Sequence, residues 1–241
     1  MPGGREAIAI SVTVAPQWHI YWRNPGDSGA APSVRLELPE GWSAGALEYP
    51  RPEIFGDADE RTFGYSGTVC LLVPVTRPSG WQGPLEVGGE MAWLACRTSC
   101  IAGRSPLSAK VSADSASAPD APAGRTWPSA MPAGSAVRVV GEGSSRDLEI
   151  AVAGAGDAAA VQFIPEDCRG IRWRDGVGPH ALAREASTGH WTLRTPISVA
   201  AGDAAGGALR VRGLVMIGKE SSSPAYFVDI AVPTAPTLTD P

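Results

Sequence analysis

No apolar run in this 241-residue chain approaches the roughly 18 residues that a membrane-crossing helix needs. The opening Met1-Pro2-Gly3-Gly4-Arg5 also lacks the apolar stretch of a secretion signal. As written, the chain is expected to be soluble, with any export signal missing or already removed. A basic footprint is missing too: the formal charge is −5, the pI is near 5.3 and the arginines are scattered. Nucleic acid and other polyanions are therefore not expected partners. Lysine and asparagine are scarce, at 2 Lys against 18 Arg and a single Asn24, a bias of GC-rich coding from which no function is drawn. The three histidines, His19, His180 and His190, show no zinc-site spacing, and no Gly-rich loop opens a helix to hold phosphate. No metal site and no cofactor are expected. Long helices are hard to place among 29 Gly and 22 Pro, whereas short alternating runs recur along the chain. The expected class is all-β.

The first run places Ile8, Ile10, Val12 and Val14 on one face of an opening strand, which should face a core. Further strands are expected over residues 20–23, 33–38, 68–76, 85–96 and 105–111. Val69, Leu71, Val73 and Val75 share one face of the 68–76 strand. Residues 113–136 turn to Ser, Ala, Pro and Gly without periodicity and read as a linker. Beyond it, strands are expected over 137–140, 147–152, 161–164, 189–199, 208–217 and 225–232. Two comparable strand sets around one linker suggest two immunoglobulin-like β-sandwiches in tandem, over 1–112 and 137–241.

Of the four cysteines, Cys96 and Cys100 stand close together. Residues four apart in one strand lie about 13 Å from each other, well beyond disulfide reach, so the chain must reverse between them. A hairpin does this if Cys96 ends one strand, Cys100 starts the next and Arg97-Thr98-Ser99 forms the loop. A helical turn would also bring them close, but the flanks show no helical stripe. The spacing fits a structural staple, a redox pair or a soft metal site. The two-residue spacing and βαβ setting of thioredoxin are absent. Arg97 and Arg104 lie near enough in sequence to lower a thiol pKa where the site is partly desolvated. Cys70 reads as a small buried hydrophobe, whereas Cys168, in Pro165-Glu-Asp-Cys-Arg-Gly, reads as an exposed loop residue. A bridge between these two has no positive support, and Glu166-Asp167 reads as a pair of solvated loop charges.

Trp18-His19-Ile-Tyr21-Trp22-Arg23-Asn24-Pro25-Gly26-Asp27 is dense in aromatics, and by itself reads as a core strand followed by a β-turn. Together with Pro52-Glu53-Ile54-Phe55-Gly56, Phe63-Gly64-Tyr65-Ser66-Gly67 and Trp93-Leu-Ala-Cys96-Arg-Thr-Ser-Cys100-Ile101, it resembles the N-terminal periplasmic domain of the DsbD/ScsB family of thiol-disulfide interchange proteins. The resemblance covers residues 7–111 well. The second half is similar to the extra β domain of ScsB-type members. The resemblance implies a thiol-disulfide oxidoreductase module that passes electrons from a membrane-embedded or thioredoxin-like reductase domain to thioredoxin-fold clients. It also implies a periplasmic location and a place within a longer membrane protein. Cys96 and Cys100 match the family's redox cysteines, although its better-studied members space them more widely. Phe55 is the best match to the aromatic cap that covers the pair, with Phe63 and Tyr65 as alternatives. His19 and Tyr21 fall where the family places aromatics beside the cysteines, and Arg97 lies within the loop.

Two other functions fit the residues. One is a copper-binding accessory domain that uses Cys96, Cys100 and His19, since soft thiolates favour Cu(I). The absence of a Met/His-rich tract weakens it. The other is a non-enzymatic interaction sandwich in which the cysteines only staple a hairpin.

Overall fold

The alternation that opens the sequence becomes the first strand of an all-β structure. The computed structural model describes residues 6–57, 60–111, 124–156, 160–166, 168, 171–173, 181–199 and 209–232. Those residues contain strands and turns but no helix, and so no helix able to cross a membrane. Residue contacts divide the chain into two units, Met1–Trp127 and Pro128–Pro241.

In the first unit, β1 (Ala7–Thr13) pairs antiparallel with β7 (Thr68–Thr76), which also pairs with the short β4 (Ser43–Ala44). The second sheet contains β2 (His19–Gly26), β3 (Ser33–Glu37), β5 (Glu53–Gly56), β6 (Arg61–Tyr65), β8 (Leu85–Cys96) and β9 (Cys100–Val111). Its order is β3-β8-β2-β6-β5, with β9 paired along the whole of β8. Ile10 and Val14 from the expected face are buried, as are Val69, Leu71 and Val73, together with Ile20, Tyr21, Trp22, Phe63 and Tyr65. Cys70 and Leu72 are buried as well, so the middle of β7 is covered on both faces. Cys70 is a free thiol whose pKa burial raises, which keeps it protonated and unreactive.

The run Asn24-Pro25-Gly26-Asp27 departs from the expected β-turn. β2 continues through Gly26, and its register with β6 shifts between Tyr21 and Gly26, as at a bulge. Asn24 Oδ1 accepts from Gly26 N at 3.0 Å, and Asp27 Oδ2 accepts from Arg61 N at 2.7 Å. The first bond shapes the strand end itself, and the second ties it to β6.

The second unit has one sheet of order β10-β11-β15-β13, built from β10 (Ala136–Val140), β11 (Ser145–Val152), β15 (Trp191–Val199) and β13 (Ile171–Trp173), with β14 (Ala181–Arg184) also paired to β15. The other has order β12-β16-β17, from β12 (Val161–Pro165), β16 (Arg210–Ile217) and β17 (Ala225–Ala231). Leu148, Ile150, Leu193, Ile197, Val211 and Val215 form its fully buried centre. Cys168 is buried here, not exposed as its polar neighbours suggest. Its thiol donates to Arg212 O at 3.3 Å and its sulfur accepts from Arg212 N at 3.2 Å, so it imitates a strand partner of β16.

Of the expected linker, residues 113–123 lie outside the described residues. Thr126 O accepts from Arg51 N at 2.8 Å in the first unit, whereas Ser129 exchanges backbone bonds with Ala225 and Phe227 in the second. His180 and Asp167 also fall outside the described residues.

Glu149 lies on β11 between Arg138 of β10 and Arg194 of β15, its direct cross-strand neighbours. Its side chain is 5% exposed, bonded by Arg138 Nε at 2.6 Å and ion-paired with Arg194. The bond from Arg138 holds its carboxyl below the ordinary value of 4.5, burial opposes this, and Arg194 adds to the lowering. A depressed folded-state pKa means that the stabilisation is complete above the unfolded value and is lost as pH falls through the folded one. Glu149→Gln should therefore cost about 1–2 kcal/mol at neutral pH, with the deficit shrinking well below pH 4.5. Urea unfolding of both proteins across that range checks it; an unchanged deficit would show that the carboxylate charge contributes nothing.

Candidate functional site

The site starts at the tip of the β8–β9 hairpin. Strand β8 ends at Cys96 and β9 begins at Cys100, and the two are cross-strand partners joined by a disulfide with a Cα–Cα distance of 4.1 Å. Arg97 N donates to Ser99 O at 3.2 Å and closes the loop. The hairpin reversal expected from the spacing is thus the observed geometry. The two halves of the bridge differ in environment: Cys96 is 4% exposed, whereas Cys100 is exposed. Its neighbour Ile101 is 56% exposed, a large apolar side chain in water beside Cys100.

Strand β2 supplies the floor. His19 pairs directly with Cys96, and Tyr21 lies two residues along on the same face. The Tyr21 side chain is buried, yet its hydroxyl reaches Cys100 Sγ at 3.8 Å. In the oxidised pair only the phenol carries a proton there, so it is the donor. Desolvation raises the Tyr21 pKa, a hydrogen bond with Ser28 opposes this, and the Glu60 charge adds to the rise. The phenol therefore stays protonated and can donate to a Cys100 thiolate once the bridge opens, which favours the thiolate. Gly29, at φ +100°, makes room for this ring: a Cβ there would overlap the Tyr21 ring atoms.

Above the floor stands the β5–β6 hairpin. Phe55 stacks on His19 with ring centroids 4.5 Å apart and planes at 16°, and His19 meets Tyr21 edge-on at 5.2 Å. His19 Nε2 is buried without a hydrogen-bond partner. Its pKa is lowered by desolvation, against an opposing pull from Glu53, so the ring is neutral near pH 7 and serves as an apolar platform. Gly56, at φ +85°, lets the chain turn immediately after Phe55, where a Cβ would collide with Glu60 O. Phe63 and Tyr65 are both fully buried, and the Tyr65 hydroxyl donates to Pro50 O at 2.8 Å. The structure thus brings Phe55, His19, Tyr21, Cys96 and Cys100 into one cluster and assigns Phe63 and Tyr65 to the core.

The arginines occupy themselves elsewhere. Arg97 bonds Gln17 Oε1 at 3.3 Å and lies over the Trp18 ring at 5.5 Å, and Arg104 pairs with Glu90 at 3.2 Å while 75% exposed. Their effect on the sulfurs is screened by water. Beside the loop, β1, β8 and β9 enclose an apolar groove of about 500 Å³ lined by Val12, Trp18, Trp93, Ile101 and Leu107 among others. Sequence reasoning missed Ser28, which bonds the Tyr21 hydroxyl, and Glu53, whose charge acts on His19. Among the described residues no cluster of three or more His, Cys, Asp or Glu side chains is arranged to hold a metal ion.

Comparison with known proteins places this site in a family setting. Residues 1–112 match the family model of thiol:disulfide interchange protein DsbD, N-terminal. Among solved structures, the chain is similar to the N-terminal periplasmic domain of ScsB from Proteus mirabilis, with a TM-score of 0.61 and 20% identity over 94% of this chain and 88% of that one. At that identity the likeness speaks for the fold. No curated protein sequence matches the chain.

Proposed function

From a DsbD-type N-terminal domain over residues 1–112, we propose that this chain is a periplasmic thiol-disulfide interchange module that works through Cys96 and Cys100. In this reading a membrane-embedded or thioredoxin-like reductase domain supplies electrons, and thioredoxin-fold proteins receive them. The observation that carries it is the asymmetric disulfide at a hairpin tip, with Cys100 exposed, Cys96 buried and an aromatic cluster against both. A staple gains nothing from a phenolic donor placed against an exposed cysteine. The tandem immunoglobulin-like sandwich architecture belongs to the same reading, supported by the two-sheet make-up of each unit.

The reduced pair would act in two displacements. The Cys100 thiolate attacks one sulfur of the client disulfide, forms a mixed disulfide and releases the other client sulfur as a thiolate. The Cys96 thiolate then attacks Cys100 Sγ, restores the Cys96–Cys100 bridge and expels the second client thiolate. Two electrons pass to the client, and water supplies its protons. Recharging runs the same steps backwards, with the donor dithiol attacking Cys100.

Equilibration in thiol buffers with mass-spectrometric quantification of the pair tests the assignment. The expected potential lies well above the roughly −300 mV below which structural bridges of secreted proteins lie. A more negative value would return the cysteines to a stapling role.

A further inference from the structure

Beyond the residues that touch the sulfurs, one part-buried charge pair is tied to the strand that carries Phe55. Arg125 lies outside the 112 residues matched by the family model, yet its side chain is only 12% exposed within the first unit. Its NH2 group ion-pairs with Glu53 and donates to Ser66 O at 2.7 Å, while the guanidinium lies 5.3 Å from the centre of the Tyr65 ring. Ser66 closes the arrangement by donating from Oγ to Glu53 Oε2 at 2.9 Å. Thr126 holds the segment in place through its carbonyl bond to Arg51 N.

Glu53 is the first residue of β5, and Phe55 follows two positions later on the same face. β5 is four residues long and, among the described residues, pairs only with β6. So short an edge strand has little hold of its own, whereas β6 is anchored to β2 and in the core by Phe63 and Tyr65. The part-buried Glu53–Arg125 pair ties down the start of β5, two residues before the Phe55 ring that stacks on His19.

We propose that Arg125 is a positioning residue for the aromatic cap: it holds the Phe55 hairpin against His19, beside the Cys96–Cys100 pair, and so sets how readily a partner reaches Cys100. This rests on the redox reading above. A group that acts through Phe55 must lose its influence when Phe55 is gone, whereas a group that merely stabilises the domain keeps it.

The test follows reduction of the oxidised full chain by a thioredoxin, with thermal unfolding measured in parallel. Arg125→Gln should raise the rate about fivefold, which corresponds to the roughly 1 kcal/mol net worth of one hydrogen bond that holds the hairpin in place. Arg125→Lys, which can still pair with Glu53, should return it most of the way to the wild-type rate. Phe55→Ala should be faster still, and the double variant no faster than Phe55→Ala alone. If Arg125→Gln multiplies the Phe55→Ala gain, it loosens the domain generally and the proposal is overturned. The same holds if Phe55→Ala accelerates the reaction and Arg125→Gln leaves it unchanged, or if Phe55→Ala itself has no effect. Should Arg125→Gln fail to fold, Glu53→Gln breaks the same ion pair from the other end and faces the same criteria. A bridge that no variant allows to be reduced would sink the redox reading itself, an outcome distinct from all the others.

Discussion

Replacing Cys96 by alanine is expected to yield a protein that captures a disulfide-bonded thioredoxin-fold client as a lasting mixed disulfide through Cys100. Cys100→Ala should capture little. The asymmetry follows from exposure: the attacking sulfur must meet the client in line, and Cys100 is an exposed residue, while Cys96 is 4% exposed. A resolving cysteine needs only to reach its neighbour, and Cys96 already lies across the hairpin with a Cα–Cα distance of 4.1 Å. The Tyr21 hydroxyl adds to the bias because it donates to Cys100. Non-reducing electrophoresis of each reduced variant mixed with oxidised client should show about tenfold or more adduct for Cys96→Ala, since rate follows access as well as thiolate fraction. Equal trapping by both variants would mean that the hairpin tip opens far enough to expose either sulfur, and the assigned order would fall.

Sequence reasoning reached the hairpin because disulfide geometry leaves few alternatives for cysteines four residues apart, and it reached β1 and β7 because their faces alternate. It missed β5 and β6 for a physical reason. β5 is four residues long, and β6 buries Thr62, Phe63, Gly64 and Tyr65 in succession, so neither presents a period of two. Disulfide geometry starts β9 at Cys100, but alternation alone showed that strand only over 105–111: most of it is exposed, and pairing with β8, not burial, keeps it extended. Cys168 looked exposed because its neighbours are polar, but its sulfur bonds the backbone of Arg212, 44 residues away. The Arg125–Glu53 pair spans 72 residues and no local pattern announces it. The resemblance named three aromatics for the cap without separating them, because burial and stacking depend on strands that the pattern did not show.

That separation makes a paired prediction. Phe55→Ala should speed the reaction of the reduced pair with a bulky thiol reagent about tenfold, the gain expected if a closed cap favoured by roughly 1.4 kcal/mol is removed. Its stability should fall by only about 1 kcal/mol, because the ring is half-buried and its main loss is one stacked contact with His19. Phe63→Ala should do the reverse. Phe63 is fully buried in β6, so deleting its ring opens a cavity and costs about 3–5 kcal/mol. Under conditions where that variant is still folded, its thiols should react at close to the wild-type rate, since Phe63 belongs to the core and the Phe55–His19 stack survives. Reaction rate and denaturant midpoint measured on the same preparations separate a gate from a core residue. A Phe55→Ala variant with wild-type reactivity and a loss of several kcal/mol would reverse the two roles, and access to Cys100 would then have to be controlled by some group other than this hairpin.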